Sequence, residues 1–395
     1  MPVSQRKLLG SWYTPPALVD AVVAEVLRDF SPLTVLDPAC GDGRFLEPFV
    51  GIAQCTGVDI DPATTWVHAD SLSKDWGDQQ FDTVVGNPPF LNQLATSTSR
   101  GGRSKFGGGP YADTAAEFLA LAVRLTRPGG RVGLVLPLSM LSTRDVAAIR
   151  DDVSRRGALR WMWWSPTQMF DASVRVWAGV WEVGAPQGEV RRSFGPTFES
   201  RPAISMPRQW AGLIADTGEV THDGPVLGDI ATFTADFRDQ YYGLIGAVSD
   251  SATGPPLITS GLIEPNECWW GRRPVRFAKQ KFAAPRVDLS ALSPALQRWA
   301  VQRLVPKILI ASQTRRIEAV VDREGAWLPS VPVITCTTDR LEDVAALLHS
   351  DAATQWVRYH AAGSGLSATS VRLTARLLAS IPLPATMAAI PSGAS

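Results

Sequence analysis

Four consecutive residues, Asn87-Pro88-Pro89-Phe90, combine a side-chain amide, a stiff backbone and an aromatic ring. They follow Phe81-Asp82-Thr83-Val84-Val85-Gly86, an apolar run that reads as a β-strand, so the turn would sit at a strand's carboxyl end. The two prolines fix where the carbonyls point. An aromatic amine is a poor nucleophile because its lone pair is delocalised into the ring. If the Asn87 side-chain oxygen and the Pro88 carbonyl each accept one amine hydrogen, the nitrogen is drawn toward tetrahedral geometry and its lone pair becomes available. A methyl group can then pass in line from a sulfonium, and the proton leaves afterwards. That chemistry rests on positioning and aimed dipoles and needs neither a covalent nucleophile nor a metal. Phe90 would stack on a base swung out of its duplex; the alternative is a rigid turn with Phe90 in the core.

A second group of residues could hold the methyl donor. Val35-Leu36-Asp37-Pro38-Ala39-Cys40-Gly41-Asp42-Gly43 reads as a strand running into a tight glycine turn, which lets a ligand approach the backbone. It lacks the third glycine of a dinucleotide fingerprint, and the acid at its head suits a cationic ligand such as a methionine ammonium or sulfonium. Asp59, in Gly57-Val58-Asp59-Ile60-Asp61, ends the next strand and is the candidate for ribose hydroxyls; Asp70, after His68-Ala69, is the candidate for the amine of an adenine. Each acid alone could be a helix cap, but three at successive strand ends converge on one crevice.

The elements that must position these residues are strands Leu33–Leu36, Cys55–Val58, Trp66–Ala69, Phe81–Val85 and Val132–Leu136, then Arg160–Trp164 and Val174–Glu182. Helices fall between them, the clearest being Thr114–Leu125, with Asp113 as N-cap and Arg127-Pro128-Gly129-Gly130 as the stop; Thr143–Arg156 is another. The pattern predicts an α/β fold: a doubly wound, seven-stranded, Rossmann-like sheet. Among the 14 tryptophans, Trp161, Trp163, Trp164, Trp177 and Trp181 fall in strand-like stretches and read as core. Beyond Gly184 short apolar pieces broken by Pro and Gly replace the βα alternation, so the boundary is placed at 184, giving domains 1–184 and 185–395.

Charge excludes one class of behaviour: 38 basic residues balance 38 acidic ones, so no overall field draws the chain to a polyanion and any nucleic-acid site must be local. The local candidate is 271–316, where Arg272, Arg273, Arg276, Lys279, Lys281, Lys307, Arg315 and Arg316 are among eleven cations against one acid, Asp288. Trp269, Trp270, Phe277 and Phe282 interleave with it as a stacking platform would; the plainer reading is a solvated face. A second cationic stretch, Ser97–Gly109 with Arg100, Arg103 and Lys105, follows the proline turn and could close over a nucleic acid. The four scattered cysteines form no CxxC pair and argue against zinc or a disulfide framework. The longest apolar run, Val132–Leu141, falls below the roughly 18 residues of a membrane span. With no signal-peptide pattern at the N-terminus, a cytoplasmic, membrane-free protein is expected.

With these residues in place, the chain resembles the gamma-class DNA adenine-N6 methyltransferases of bacterial restriction-modification systems over most of residues 8–183. Gly10-Ser11-Trp12-Tyr13-Thr14-Pro15-Pro16 looks like the family's opening motif, which implies that Tyr13 and Thr14 help hold the methionine end of the cofactor. Asp37, Pro38, Ala39 and Gly41 lie in what looks like the cofactor loop, Asp59 and Ile60 in the ribose motif, and Asp70 with Ser71 in the adenine-binding place, where an aromatic often stands at position 71. Gln168-Met169-Phe170 is similar to the segment whose phenylalanine holds the flipped adenine opposite the catalytic aromatic, and that role is carried to Phe170. Pro306-Lys307-Ile308-Leu309 and Leu377–Pro384 are similar to pieces of the family's target-recognition domain.

The resemblance implies a class I methyltransferase domain followed by a mixed target-recognition domain, and S-adenosylmethionine as cofactor. It also implies double-stranded DNA as partner, and a separate restriction endonuclease or defence-system subunit. Two alternatives stay open. An Asn-Pro-Pro-Phe turn also serves methyltransferases of ribosomal RNA bases and, in similar form, of protein glutamine. A silent DNA-specificity subunit could keep the fold without the chemistry.

Overall fold

The computed structural model describes residues 14–90, 104–110, 112–165, 175–215, 222–236, 238–365 and 370–388. They form two compact units, 1–214 and 215–395.

All seven expected strands form in the first unit: β1 (Thr34–Asp37), β2 (Gln54–Asp59), β3 (Val67–His68), β4 (Phe81–Gly86), β5 (Thr126–Pro137), β6 (Gly157–Trp164) and β7 (Val176–Val183). Two more, β8 (Glu189–Phe194) and β9 (Glu199–Ser205), complete a nine-stranded sheet of order 3-2-1-4-5-7-6-8-9. Strands β1 to β5 are parallel, and β7 enters antiparallel between β5 and β6. The expectation of seven strands and a boundary at 184 is therefore corrected. Strand β8 continues the sheet by pairing in parallel with β6, Trp161 opposite Arg191. Farther on, Trp210 packs its ring 5.9 Å from Trp177 and 6.1 Å from Trp181. The buried Arg192 fastens the extension, donating to the Pro202 and Leu213 carbonyls.

Helices cover both faces. The α1 helix (Pro16–Val26) starts with proline at its first position, where a missing N–H costs nothing. Its Leu18, Val19, Val22 and Val26 pack with Val35, Val85, Val135, Trp161 and Trp163. On the other face α2 (Thr114–Leu125) and α3 (Ala147–Arg156) pack over Val84, Val132, Leu134, Leu136, Met162 and Trp177. Adjacent strand residues thus enter opposite layers, as the two-residue period requires, and the five strand tryptophans are all core.

The α2 helix has the expected bounds, and Asp113 caps it by accepting the Ala115 N–H at 2.9 Å. The expected stop at Arg127–Gly130 is instead extended backbone: Thr126 is already β, and the irregular start of β5 pairs with β4 through a register shift between Phe81 and Thr83. The helix expected from Thr143 begins as a 3-10 turn at Arg144–Val146 before α3.

The second unit is built on a four-stranded antiparallel sheet, in the order Thr232–Ala235, Ile334–Thr337, Lys307–Ile310 and Ala319–Asp322. Helices Leu341–Leu348 and Asp351–His360 pack into the same core. Short two-stranded pieces make up much of the rest. Among the described residues no helix is long and apolar enough to cross a membrane.

Candidate active site

The parallel sheet brings the carboxyl ends of β1, β2 and β4 together. Asp37 closes β1 and is 2 % exposed. Its Oδ1 accepts the Ala39 N–H at 3.0 Å. Burial pushes its carboxyl up to about 8, and the nearby Asp59 and Asp42 carboxylates add to the rise. An acid so placed is short of a cation.

Its neighbour across the sheet is the end of β4. A Cβ added to Gly86 would lie 2.6 Å from Asp37 Oδ1, and Gly86 has φ +152°, so only glycine lets the two strand ends meet this closely. Asn87 follows at once, half-buried, then a buried Pro88, and Pro89 and Phe90, both half-buried. Phe90 packs against the cores on both sides of the sheet, which holds its ring at the point where the strand ends.

The glycine loop is held by the second acid. One oxygen of Asp59 accepts the Gly41 N–H at 2.7 Å and the other accepts the Asp61 N–H at 2.8 Å. Gly41 has φ +53° with open space where a Cβ would point. Each Asp59 oxygen keeps a further lone pair for a ligand. Ile60 beside it is 58 % exposed, an apolar side chain standing at the sheet's edge. Asp70 accepts the Leu72 N–H at 3.1 Å and the Ser73 hydroxyl at 2.7 Å, making a turn. Inside that turn Ser71 is 3 % exposed, and its buried hydroxyl has no hydrogen-bond partner among the described residues. An apolar platform, an orphaned buried hydroxyl and a buried acid lacking its cation are what an adenosine carrying a cationic amino acid would complete. The residues therefore fit S-adenosylmethionine.

Thr14 is buried, and its carbonyl accepts Arg44 Nη1 at 2.8 Å while Arg44 Nη2 holds Asp42 at 2.9 Å. Arg44 thus ties the residue beside Tyr13 to the glycine loop. Sequence reasoning missed Arg44, although its spacing from Asp42 was a signal. Tyr13, Phe170, Arg100 and Arg103 lie outside the described residues.

Lys105 is placed differently from expectation. Its Nζ donates to the Leu72 carbonyl at 2.6 Å, and its backbone N–H goes to Glu117, which also takes the Ser104 hydroxyl. Ser104 Oγ in turn accepts the Phe106 and Gly108 N–H groups. Residues 104–108 are therefore knotted to α2 and to the turn after Asp70, and Lys105 is not an open loop cation. Glu117, 5 % exposed, was legible only as a lone acid among Ala and Leu on an apolar helix.

Part of the basic run of the second unit is also spoken for. Arg272 pairs with Glu267 at 2.8 Å and Arg273 with Glu264 at 2.9 Å, acids just upstream of the run. Their guanidinium groups lie over the Trp269 ring, Arg286 lies over Trp270, and both indoles pack on a core. The expected stacking platform is thus internal packing. Lys307 has no exposed surface; it holds Asp322 at 2.5 Å inside the sheet, and burial pulls its ammonium below the usual lysine range, so it cannot reach a phosphate. Arg315 and Arg316 are exposed.

Residues 55–183 match the sequence model of the N-6 DNA Methylase family. The Type II methyltransferase M.TthHB8I of Thermus thermophilus is 31% identical over 189 residues, 40% of this chain and 41% of that protein. The Type II methyltransferase M.CvrRI of Paramecium bursaria Chlorella virus is 31% identical over 96 residues, 21% of this chain and 25% of that protein. The chain thus spans about two fifths of the first relative and a quarter of the second. Among solved structures, the Type IIL restriction-modification enzyme MmeI in complex with DNA superposes with TM-score 0.61 at 14% identity, covering 96% of this chain and 69% of that one. That likeness shows the fold alone. Residues 55–183, from β2 through β7, are therefore the part of the chain that resembles the N-6 DNA Methylase family.

Proposed function

We propose that the chain transfers a methyl group from S-adenosylmethionine to the N6 amine of an adenine flipped out of double-stranded DNA. One observation carries this reading: the Asn87-Pro88-Pro89-Phe90 turn leaves β4 at the glycine that touches the carboxylate of Asp37. The group that would polarise an amine and the group that would hold the cationic donor are thus neighbours across two paired strands.

The cofactor, when bound, supplies an electrophilic methyl on sulfonium. Asp37 would take its ammonium, Asp59 its ribose, and Ile60, Asp70 and Ser71 its adenine, with Tyr13, Thr14, Pro38, Ala39 and Gly41 shaping the methionine end. The Asn87 side-chain oxygen and the Pro88 carbonyl would accept the two amine hydrogens and localise the nitrogen lone pair, while Phe90 and Phe170 sandwich the base. Fixed dipoles of this kind act without reorganising during the reaction. The extra proton leaves the product amine once the new N–C bond has formed.

We assign the second unit to target recognition, in a cytoplasmic protein whose DNA partner is shared with a separate endonuclease or defence-system subunit. The test incubates the protein with methyl-labelled cofactor and duplex DNA, RNA or protein, and identifies the labelled atom. N6-methyladenine in the duplex is the expected product. Label in RNA or protein with none in DNA overturns the reading, and so does cofactor binding with no transfer to any of the three.

A further inference from the structure

We propose that the hairpin of Val275–Phe277 and Gln280–Phe282 is a cationic ribbon that docks on the phosphates of duplex DNA. The inference rests on DNA being the substrate. It adds a contact surface distinct from the methyl-transfer site.

The hairpin register puts Arg276 directly opposite Lys281, with Val275 opposite Phe282 and Phe277 opposite Gln280. Val275 and Phe277 are buried, so the alternation turns Arg276 and Lys281 outward on one face, where both are exposed. Like charges directly opposite each other weaken a strand pair. The tip adds a third cation: Ala278 has φ +48° and Lys279 φ +69°. A two-residue turn with both central φ positive calls for Asn-Gly, and here it is made by Ala-Lys at a conformational cost.

Arg272, Arg273, Arg303 and Lys307 each hold a carboxylate. Arg276, Lys279 and Lys281 form no ion pair among the described residues. The tip is nevertheless anchored: Phe277 lies 4.9 Å from the Tyr241 ring, and the Tyr241 hydroxyl accepts the Ala278 N–H at 3.1 Å. A firmly held hairpin therefore carries three uncompensated cations, Lys279 on the strained tip and Arg276 and Lys281 on the strands beside it, in a chain whose net charge is zero. Local strain kept on a well-anchored element points to a bound partner. A two-stranded ribbon has the width a major groove admits, and the groove's walls are lined with phosphate.

The experiment compares wild type with the triple variant Arg276→Gln, Lys279→Gly, Lys281→Gln, titrated with duplex DNA across a salt series and with cofactor alone. The expected result is DNA affinity at least tenfold weaker at 150 mM salt. The slope of log affinity against log salt should be shallower by about 0.9 for each phosphate lost. Cofactor affinity should not change, and a cooperative melting transition of the second unit checks that the variant is folded. Lys279→Gly alone should raise the melting temperature while weakening DNA binding, a pairing that a purely structural tip would not show. A triple variant with wild-type affinity and slope overturns the ribbon alone. Wild type without affinity for duplex DNA overturns the proposed function together with the ribbon. A larger loss on duplex RNA than on DNA of the same sequence overturns the assignment of partner.

Discussion

Replacing Asp37 by asparagine should make the cofactor-free protein more stable and its cofactor site worse. The folded Asp37 carboxyl keeps its proton until about pH 8, whereas the unfolded chain releases it near the ordinary value of 3.8. Between those values unfolding releases a proton, so stability falls as pH rises, by about 1.4 kcal/mol per unit. At pH 7 the loss amounts to about 4 kcal/mol, and above pH 8 it is complete. The amide introduced by Asp37→Asn still offers an oxygen to the Ala39 N–H but has no charge to bury.

Urea unfolding followed by tryptophan fluorescence suits the first unit, whose five strand tryptophans are core. Between pH 5.5 and 8 this one group should cost wild type about 3 kcal/mol, a loss Asp37→Asn should not show. Cofactor binding supplies the missing cation and must expel the proton. Wild-type affinity should therefore rise close to tenfold per pH unit between 5.5 and 7, where an α-amino group of ordinary pKa about 7.7 to 8.0 stays charged. The variant should bind weakly and with a flat profile. Parallel stability and affinity profiles for the two proteins would refute the assignment of Asp37 as the buried acid that awaits a cation.

Three further outcomes follow from the same geometry. Asn87→Ala should lower methyl transfer at saturating DNA about 100- to 1000-fold while leaving cofactor affinity intact, measured by single-turnover labelling; a drop under threefold would remove Asn87 from the chemistry. Ile60→Ala should weaken cofactor binding by about 1 kcal/mol, read by calorimetry, with unchanged melting, because the side chain is exposed until a ligand covers it. Asp322→Asn should destabilise the second unit by about 3 kcal/mol or more, since it leaves Lys307 buried without its charge partner. Replacing both by Met and Leu should recover much of that loss, and equal stabilities for the single and double variants would argue against the pair.

The first unit was legible because its signals are local. Asp113 and the apolar run after it define α2, and each of the acids Asp37 and Asp59 ends a strand that can be read from a few residues. The extension through β8 and β9 was not legible, because Glu189–Phe194 and Glu199–Ser205 are largely polar strands flanked by Pro and Gly, with little hydrophobic period to read. The basic run misled for a different reason. Asp236 and Asp322 are distant in sequence from the Arg303 and Lys307 they neutralise, and Glu264 and Glu267 fell just outside the run. Charge counted along a chain cannot report pairing made by the fold, and the same holds for the knot of Ser104, Lys105 and Glu117.

The nine-stranded sheet has a consequence for handling the protein. In a seven-stranded version β6 would be an open edge, an apolar strand with Trp161, Trp163 and Trp164 and its outer row of hydrogen-bonding groups unpaired, which is a template for self-association. Here β8 covers that edge, and the free edge moves to β9, mostly exposed, with Glu199, Arg201 and Pro202 along it. Charge and proline on a short strand discourage further pairing. A fragment cut near residue 184 would lose this cover and expose the tryptophan ladder, so it should aggregate, while one cut after Ile214 should stay monomeric by light scattering.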